Sequence, residues 1–424
     1  MLCLLLITAL PFIEDDYGAA VARAKKADQP VIVDLWATWC HSCLSMRNYV
    51  FTDPALNAVA KHAVFVAIDT EKEKNKQVVA ALKPQAWPTF VALDPKDETM
   101  LAQLIGSAIA PEFAAFVEQA AQALADKRAG KDTTFVKLTH ADQSAVMGHH
   151  KEAVLTYEKA LSGELTPQAR GRIAYSLVSE LGSSHDEGKC RDTALAQATK
   201  VPGTYFEAPL YASAVDCSVS EDGKSTTLTA EQRALVRTHL QQALTSTLYT
   251  ADDKSGIYES LGALTVSEGD KAGATKLERD RLAMLEEAAA RAPNKAAART
   301  FDAHRAELYL ELGRPDDAIT LLTQSEKEAP QDYNPPARLA RAYLAKNDLA
   351  GAKAAVARAQ KLVYGPRTAV IYLLAGDIYV KSGDKPGARA SYMQAQKILQ
   401  LEPKTPGISM RLKDIDKKLA ALGT

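Results

Sequence analysis

The stretch "DLWATWCHSCLSM", residues 34–46, places two cysteines three positions apart directly after an apolar run. Such a pair occurs in three kinds of site: a redox-active dithiol, half of a zinc site, or two buried thiols. A structural zinc site needs four ligands, and the remaining cysteines, Cys3, Cys190 and Cys217, stand alone in the sequence. The spacing therefore favours a redox-active pair made of Cys40 and Cys43, and we expect no metal.

The residues around the pair predict how it is presented. Val31–Val33 form an apolar run typical of a buried strand, and the cysteines then fall in the first turn of a predicted helix. Unpaired N–H groups and the positive dipole end at a helix start stabilise a thiolate, which lowers a thiol pKa from about 8.5. We expect Cys40 to be exposed at this helix start and Cys43, one turn deeper, to resolve a mixed disulfide on it.

The pattern over residues 14–125 predicts an α/β domain. "AVFVAID" at 63–69, "WPTFVALDP" at 87–95 and "MLAQLIG" at 100–106 are typical of strands. "APEFAAFVEQAAQAL" at 110–124 has the spacing of a closing amphipathic helix. Strands alternating with helices over this length indicate a mixed sheet covered by helices.

Three of these segments, "VIVDLWATWCHSC", "AVFVAID" and "AWPTFVALDP", resemble the thioredoxin superfamily. The resemblance implies that Pro88 follows a cis bond and lies against the disulfide, and that the backbone of Trp87 and Thr89 pairs with an extended substrate. It also implies that Asp34 accepts the proton of the second cysteine and that Trp39 covers the disulfide. The lysine that often partners this acid is missing from "AVFVAID".

The stretch "CLSMRNYVFTDPALNAVA", residues 43–60, is more particular and resembles the periplasmic domain of DsbD-type disulfide-interchange proteins. This resemblance covers about residues 14–122 and implies reduction or isomerisation of disulfides, with electrons from an outside redox partner. His41, between the cysteines, either favours the Cys40 thiolate when protonated or points to solvent. We include it among the substrate-binding candidates with Trp39, Trp87 and Thr89.

Strand patterns stop after Gly130, and residues 138–424 predict an all-α helical-repeat solenoid behind a linker at 126–137. Ala318, Ala352 and Ala388 follow one another at intervals of 34 and 36 residues within similar helix-turn-helix units. Small residues let paired helices approach closely, and one pair cannot bury its apolar face alone, so pairs stack. The units resemble tetratricopeptide (TPR) repeats. The register is lost over 165–250, which predicts irregular helical hairpins or a long insertion.

Composition and the N-terminus bear on partners and compartment. The 424 residues carry a net charge of −1, so no bulk charge favours nucleic acid. Residues 1–13 include an apolar run with the length of a signal-peptide core, so we expect export to the bacterial periplasm or cell envelope; a buried strand or a misplaced start is the alternative. Without Cys3 the cysteine count is even, and Cys190 and Cys217 form either a structural disulfide or two buried thiols.

Two functional hypotheses follow from the sequence. In the first, the chain is a thiol-disulfide oxidoreductase, without a cofactor, whose helical-repeat arm binds client proteins that contain cysteines or disulfides. In the second, it is a repeat scaffold that binds a protein or peptide, and the thioredoxin-like domain is an accessory module of weak redox activity. No stretch of 18 apolar residues predicts a transmembrane span.

Overall fold

The structure is a computed structural model that describes residues 10–131, 133–402 and 405–423. Most of the predicted signal segment, including Cys3, lies outside the described residues. The described chain forms two compact units: the first comprises the residues up to Thr70 with Gln77–Ala288, and the second Glu71–Lys76 with the residues from Ala289 on. The linker expected at 126–137 lies within the first unit, and the division into sequence modules there stays a prediction.

A five-stranded mixed sheet forms the centre of the thioredoxin-like part of the first unit, in the order β1-β3-β2-β4-β5. Strands β1, β3 and β2 run parallel to one another. Strand β4 runs antiparallel to its neighbour β2, and β5 runs antiparallel to β4. Every residue of β3 and β4 is buried, as is all of β2 except its last residue, because helices cover both faces of the sheet. The strands are β1 (Ile13–Glu14), β2 (Val31–Trp36), β3 (Val64–Asp69), β4 (Thr89–Leu93) and β5 (Met100–Ile105).

The helices between the strands follow the predicted order. Asp53 caps a 3₁₀-helix by accepting the Ala55 N–H at 2.8 Å, and this helix ends at Ala58. The predicted helix that carries the cysteines is divided, since a π-helix follows directly after its first 5 residues. The elements are α1 (Tyr17–Ala27), α2 (His41–Ser45), the π-helix Met46–Val50, the 3₁₀-helices Pro54–Ala58 and Glu73–Asn75, α3 (Lys76–Leu82) and α4 (Ala110–Arg128).

Eight further helices complete the described part of the first unit, and the first of them, α5, packs against the edge strand β5. The Thr139 hydroxyl donates to the Leu101 carbonyl of β5 at 2.7 Å, so α5 covers what would otherwise be an open edge strand. The region 165–250 contains helices α7–α10. The helices are α5 (Thr134–Val146), α6 (His150–Leu161), α7 (Pro167–Ser183), α8 (Glu187–Ala198), α9 (Glu207–Asp216), α10 (Ala230–Thr245), α11 (Ala251–Ser267) and α12 (Lys271–Ala290).

The second unit consists of helical hairpins in which small residues lie at the helix contacts. Ala318, Ala352 and Ala388 are fully buried, and Gly376 lies so close to the Tyr392 ring that a side chain there would collide with it. Its helices are α13 (Lys295–Arg299), α14 (Asp302–Glu311), α15 (Pro315–Glu328), α16 (Asn334–Ala345), α17 (Leu349–Leu362), α18 (Arg367–Lys381), α19 (Lys385–Leu399) and α20 (Pro406–Ala421). Among the described residues of both units, no helix has the length and apolarity needed to cross a membrane.

Candidate redox-active site

Cys40 and Cys43 form a disulfide at the start of α2, at the carboxyl end of the central strand β2. Cys40 is the N-cap residue of α2, and its Sγ accepts the backbone N–H of Cys43 at 3.0 Å. A hydrogen bond from a helix-start N–H stabilises negative charge on sulfur more than it stabilises a neutral thiol. The expected strand-loop-helix placement and the pairing of the two sulfurs are both present.

The expectation that Cys40 is exposed is wrong. Cys40 is 3% exposed and Cys43 is 1% exposed, and both lie in a small apolar cluster with Ala37. Three tryptophan side chains pack against this cluster: Trp36, Trp39 and Trp87. The sequence spacing placed the sulfur at a helix start, but the spacing carries no information about which distant side chains pack over it.

Trp39 and Trp87 form an aromatic pair beside the disulfide, with ring centroids 5.4 Å apart. The Trp87 indole Nε1–H donates to the Thr70 hydroxyl at 2.9 Å, which holds the ring in place. The Trp87–Pro88 peptide bond is cis, as the resemblance implied, and the Pro88 carbonyl accepts the Gly106 N–H at 2.9 Å. Trp39, Trp87 and Pro88 are therefore grouped around the redox pair.

Thr89 is the first residue of β4 and is only 1% exposed. It lies between Leu35 of β2 and Ile105 of β5, and its hydroxyl donates to the Ala86 carbonyl at 2.8 Å. Its side chain is thus committed to the interior, and any contact of Thr89 with a client would have to be made by its backbone.

Asp34 lies inside β2, is 2% exposed, and its Oδ1 has no hydrogen-bond partner. Burial raises the pKa of this carboxyl to about 7, and the positive charge of Arg47 partly opposes the rise. The Arg47 guanidinium lies over the Trp36 ring, 4.2 Å from its centroid, and forms an ion pair with Glu14. Arg47 was not predicted from the sequence as a charge near Asp34, because no local pattern tells which charged side chains pack beside a buried acid.

His41 is held by a residue of the helical segment. Its Nδ1 lies 2.9 Å from Oδ1 of Asp252 in α11, and the two side chains are 38% and 3% exposed. Burial alone would lower the pKa of His41, but the hydrogen bond and negative charge of Asp252 outweigh it and raise that pKa above its usual value. The alternative in which His41 points into solvent is therefore set aside. No local sequence pattern pointed to Asp252.

A cavity of about 410 Å³ opens beside the residues between the cysteines. Its walls come from the redox turn, from the loop after β5, and from helices of the same compact unit. Among the described residues that line it there are four carboxylates and neither a lysine nor an arginine. The redox turn contributes His41 and Ser42, and the loop after β5 contributes Gly106 and Ser107. The four carboxylates are those of Asp216, Asp252, Asp253 and Glu259.

Cys190 and Cys217 are the second cysteine pair, and the structure joins them in a disulfide between α8 and the residue that follows α9. Cys190 is 1% exposed and Cys217 is partly buried in the same apolar cluster. A bond in this setting cross-links two helices in the interior of the first unit, and we propose a structural role for it.

Comparisons with known proteins match an N-terminal and a C-terminal part of the chain to two different families. A family model described as thioredoxin-like matches residues 13–95, and two tetratricopeptide-repeat models match residues 309–363 and 369–398. The chain is 32% identical over 81 residues to the thiol:disulfide interchange protein DsbD of Pectobacterium atrosepticum, covering 19% of this chain and 14% of that protein. It is 30% identical over 97 residues to an H-type thioredoxin of Oryza sativa subsp. indica, covering 22% of this chain and 71% of that protein.

Among solved structures, a tetratricopeptide repeat protein from Parabacteroides merdae is 13% identical with a TM-score of 0.39, covering 67% of this chain and 98% of that one. The crystal structure of PilW, a type IV pilus biogenesis factor, is 16% identical with a TM-score of 0.35, covering 58% of this chain and 97% of that one.

Proposed function

The chain belongs to the thioredoxin family, and on this premise we propose that it is a protein thiol-disulfide oxidoreductase whose helical repeats bind its clients or partners. The observation that carries the proposal is the Cys40–Cys43 disulfide at the start of α2, with the buried, hydrogen-bond-deficient carboxyl of Asp34 in the strand that leads to it. A carboxyl with a pKa of about 7 exchanges protons readily near neutral pH.

The reaction proceeds through two exchanges at sulfur. The Cys40 thiolate attacks a client disulfide, forms a mixed disulfide with one client sulfur and releases the other as a thiolate. Cys43 then loses its proton to the Asp34 carboxylate and attacks Cys40, which releases the second client sulfur. The client gains two electrons, and the Cys40–Cys43 disulfide must be reduced again by an external dithiol.

The aromatic pair supports a role in client binding. Trp39 and Trp87 form an apolar surface next to the disulfide, onto which a client segment can pack. His41 lines the cavity on another side of the redox turn. We assign these three residues to client binding and Pro88 to shaping the loop that presents Trp87.

The similarity to DsbD is the basis for proposing the direction of disulfide exchange, the cellular compartment and the redox partner. That similarity favours reduction or isomerisation of client disulfides, with electrons from a separate redox protein, in an oxidising compartment such as the periplasm or cell envelope. Two internal disulfides suit an oxidising compartment. The repeats of the second unit provide a surface for a protein or peptide ligand.

A second function is favoured by one observation, the 3% exposure of Cys40. A sulfur this well covered suits a scaffold protein in which the repeats are the working part and redox exchange is weak. Client attack on Cys40 requires that the covering tryptophans move, whereas a scaffold requires no such movement.

Trapping of mixed disulfides separates these functions. In a Cys43→Ala variant of the full chain, expressed with export to an oxidising compartment, the resolving sulfur is absent and covalent client adducts should accumulate on Cys40. The matched control Cys40→Ala/Cys43→Ala should trap none. Adducts mapped to Cys40 support the oxidoreductase; absence of adducts, together with retained noncovalent binding of a partner by both variants, supports the scaffold.

A further inference from the structure

We propose that Asp252 is a positioning residue for the redox pair: its hydrogen bond holds the His41 ring beside Cys40 and thereby makes the Cys40–Cys43 disulfide a stronger oxidant. The inference rests on the proposed thiol-disulfide exchange and deepens it, because it assigns control of the reduction potential to a helix outside the thioredoxin-like domain. Asp252 and His41 are separated by 211 residues of sequence.

The start of α11 is rigidly placed for this task. Thr250 caps the helix, and its side chain and that of Asp253 form a reciprocal capping box. Asp253 Oδ1 also accepts hydrogen bonds from the Tyr205 and Ser107 hydroxyls, each at 3.0 Å. Since Ser107 follows β5, the first turn of α11 is tied to the thioredoxin-like domain at two points: at His41 through Asp252 and at Ser107 through Asp253.

Asp252 is a charged group of the first unit that contacts His41 directly. The other charges of that unit that act on His41 are those of Glu259 and Arg281, which oppose each other and form an ion pair. Asp252 itself is 5% exposed and lies in the first turn of α11. A buried carboxylate in this position favours an imidazolium over a neutral ring.

The chemical consequence concerns the reduced state of the pair. Two electrons and one proton convert the Cys40–Cys43 disulfide into a Cys40 thiolate and a Cys43 thiol. A positive charge on the residue next to Cys40 stabilises the thiolate and therefore the reduced form, which raises the reduction potential. Because His41 follows Cys40 directly while Asp252 contacts the ring from another helix, we expect the imidazolium to lie nearer the sulfur than the carboxylate.

The test is the equilibrium of the full chain with reduced and oxidised glutathione at pH 7, read by alkylation and mass spectrometry of the peptide that contains residues 40–43. We expect Asp252→Asn to make the dithiol about 10-fold easier to oxidise, which corresponds to a potential about 30 mV lower. His41→Gln should lower it further, because the Asp252 carboxylate then has no counter-charge. In the double variant Asp252→Asn/His41→Gln the two shifts in potential should not add. The potential of Asp252→Glu should lie between those of Asp252→Asn and the unmodified protein.

Asp216→Asn is the matched control, since Asp216 lines the same cavity but forms no ion pair with His41. Its equilibrium constant with glutathione should stay within a factor of about 2 of that of the unmodified protein. An unchanged potential in a folded Asp252→Asn protein, or an equal shift in Asp216→Asn, would overturn the proposal. Either result leaves the exchange activity of Cys40 intact, whereas failure of the proposed function would appear as no exchange with glutathione at all.

Discussion

Asp142 in α5 accepts the backbone N–H of Gln103 in the edge strand β5 at 2.9 Å, in the interior of the first unit. The same carboxylate accepts the Tyr157 hydroxyl at 2.6 Å and lies 3.5 Å from the Arg172 guanidinium. One buried acid thus joins the thioredoxin-like sheet to three helices that follow it. The helical segment next to the sheet is therefore an integral part of the same compact unit, and a redox site on that unit can be influenced by its helices.

Removal of the Asp142 carboxylate should destabilise the first unit strongly. Asp142→Ala leaves the Tyr157 hydroxyl and the Gln103 N–H without a partner in the interior, so we expect a loss of about 3 kcal/mol or more in the free energy of unfolding. Tyr157→Phe removes a single hydrogen bond to a charged group and should cost about 1.5–3 kcal/mol. Urea unfolding of the full chain measures both, and equal stability of Asp142→Ala and the unmodified protein would contradict the assignment.

Replacement of Asp34 should stabilise the protein above neutral pH while slowing catalysis. The pKa of Asp34 is about 7 in the folded protein against 3.8 for the unperturbed carboxyl, so the folded state binds this proton more tightly than the unfolded state. Stability is therefore lost as the pH rises from about 4 to about 7. Each pKa unit corresponds to about 1.36 kcal/mol, so at pH 8 the ionisation of Asp34 lowers the free energy of unfolding by about 4 kcal/mol.

Asp34→Asn cannot ionise, so it should unfold at a higher urea concentration than the unmodified protein at pH 8 and at a similar concentration at pH 3. Its rate of release of a mixed disulfide should fall about 10²-fold, because Cys43 loses its proton acceptor. The control is Glu164→Gln, an exposed acid in the loop before α7, which should change neither quantity. A pH-independent stability difference for Asp34→Asn would contradict the raised pKa.

Arg47 should set how far the pKa of Asp34 rises. Its positive charge favours the ionised carboxyl, so Arg47→Gln should move that pKa above about 7, while Arg47→Lys should preserve most of the effect. The pH profile of the resolving step reports the change as a shift of its acidic limb to higher pH. Arg23→Gln, an exposed arginine of α1, serves as the control and should leave the profile in place.

Close packing in the second unit should be sensitive to one methyl group. Gly376 of α18 lies against the Tyr392 ring of α19, so Gly376→Ala forces the ring or the helix to move and should cost about 1–3 kcal/mol. Gly407→Ala in α20 is the matched control, because the added Cβ atom would lie 4.0 Å from its nearest neighbour, the Thr405 hydroxyl oxygen. Hydrogen exchange of the full chain should show faster exchange in α18 and α19 for the first variant alone.

Most of the fold could be predicted from the sequence, because apolar residues recur in helices and strands at intervals of only two to four residues. The apolar runs at Val31–Val33 and at 63–69 identified central strands, and alanines 34 and 36 residues apart identified stacked hairpins. The two-residue strand β1 was missed because it is too short to show a period.

The sequence by itself determined that two cysteines three apart lie at the start of a helix after a buried strand, because these features depend only on neighbouring residues. Tertiary structure alone decided that Cys40 is covered, that the charges of Arg47 and Glu14 act on Asp34, and that Asp252 holds His41. The physical reason is that solvent exposure, pKa values and ion pairs depend on which distant side chains share a small volume. That choice is made by the packing of whole elements, and no local pattern encodes it.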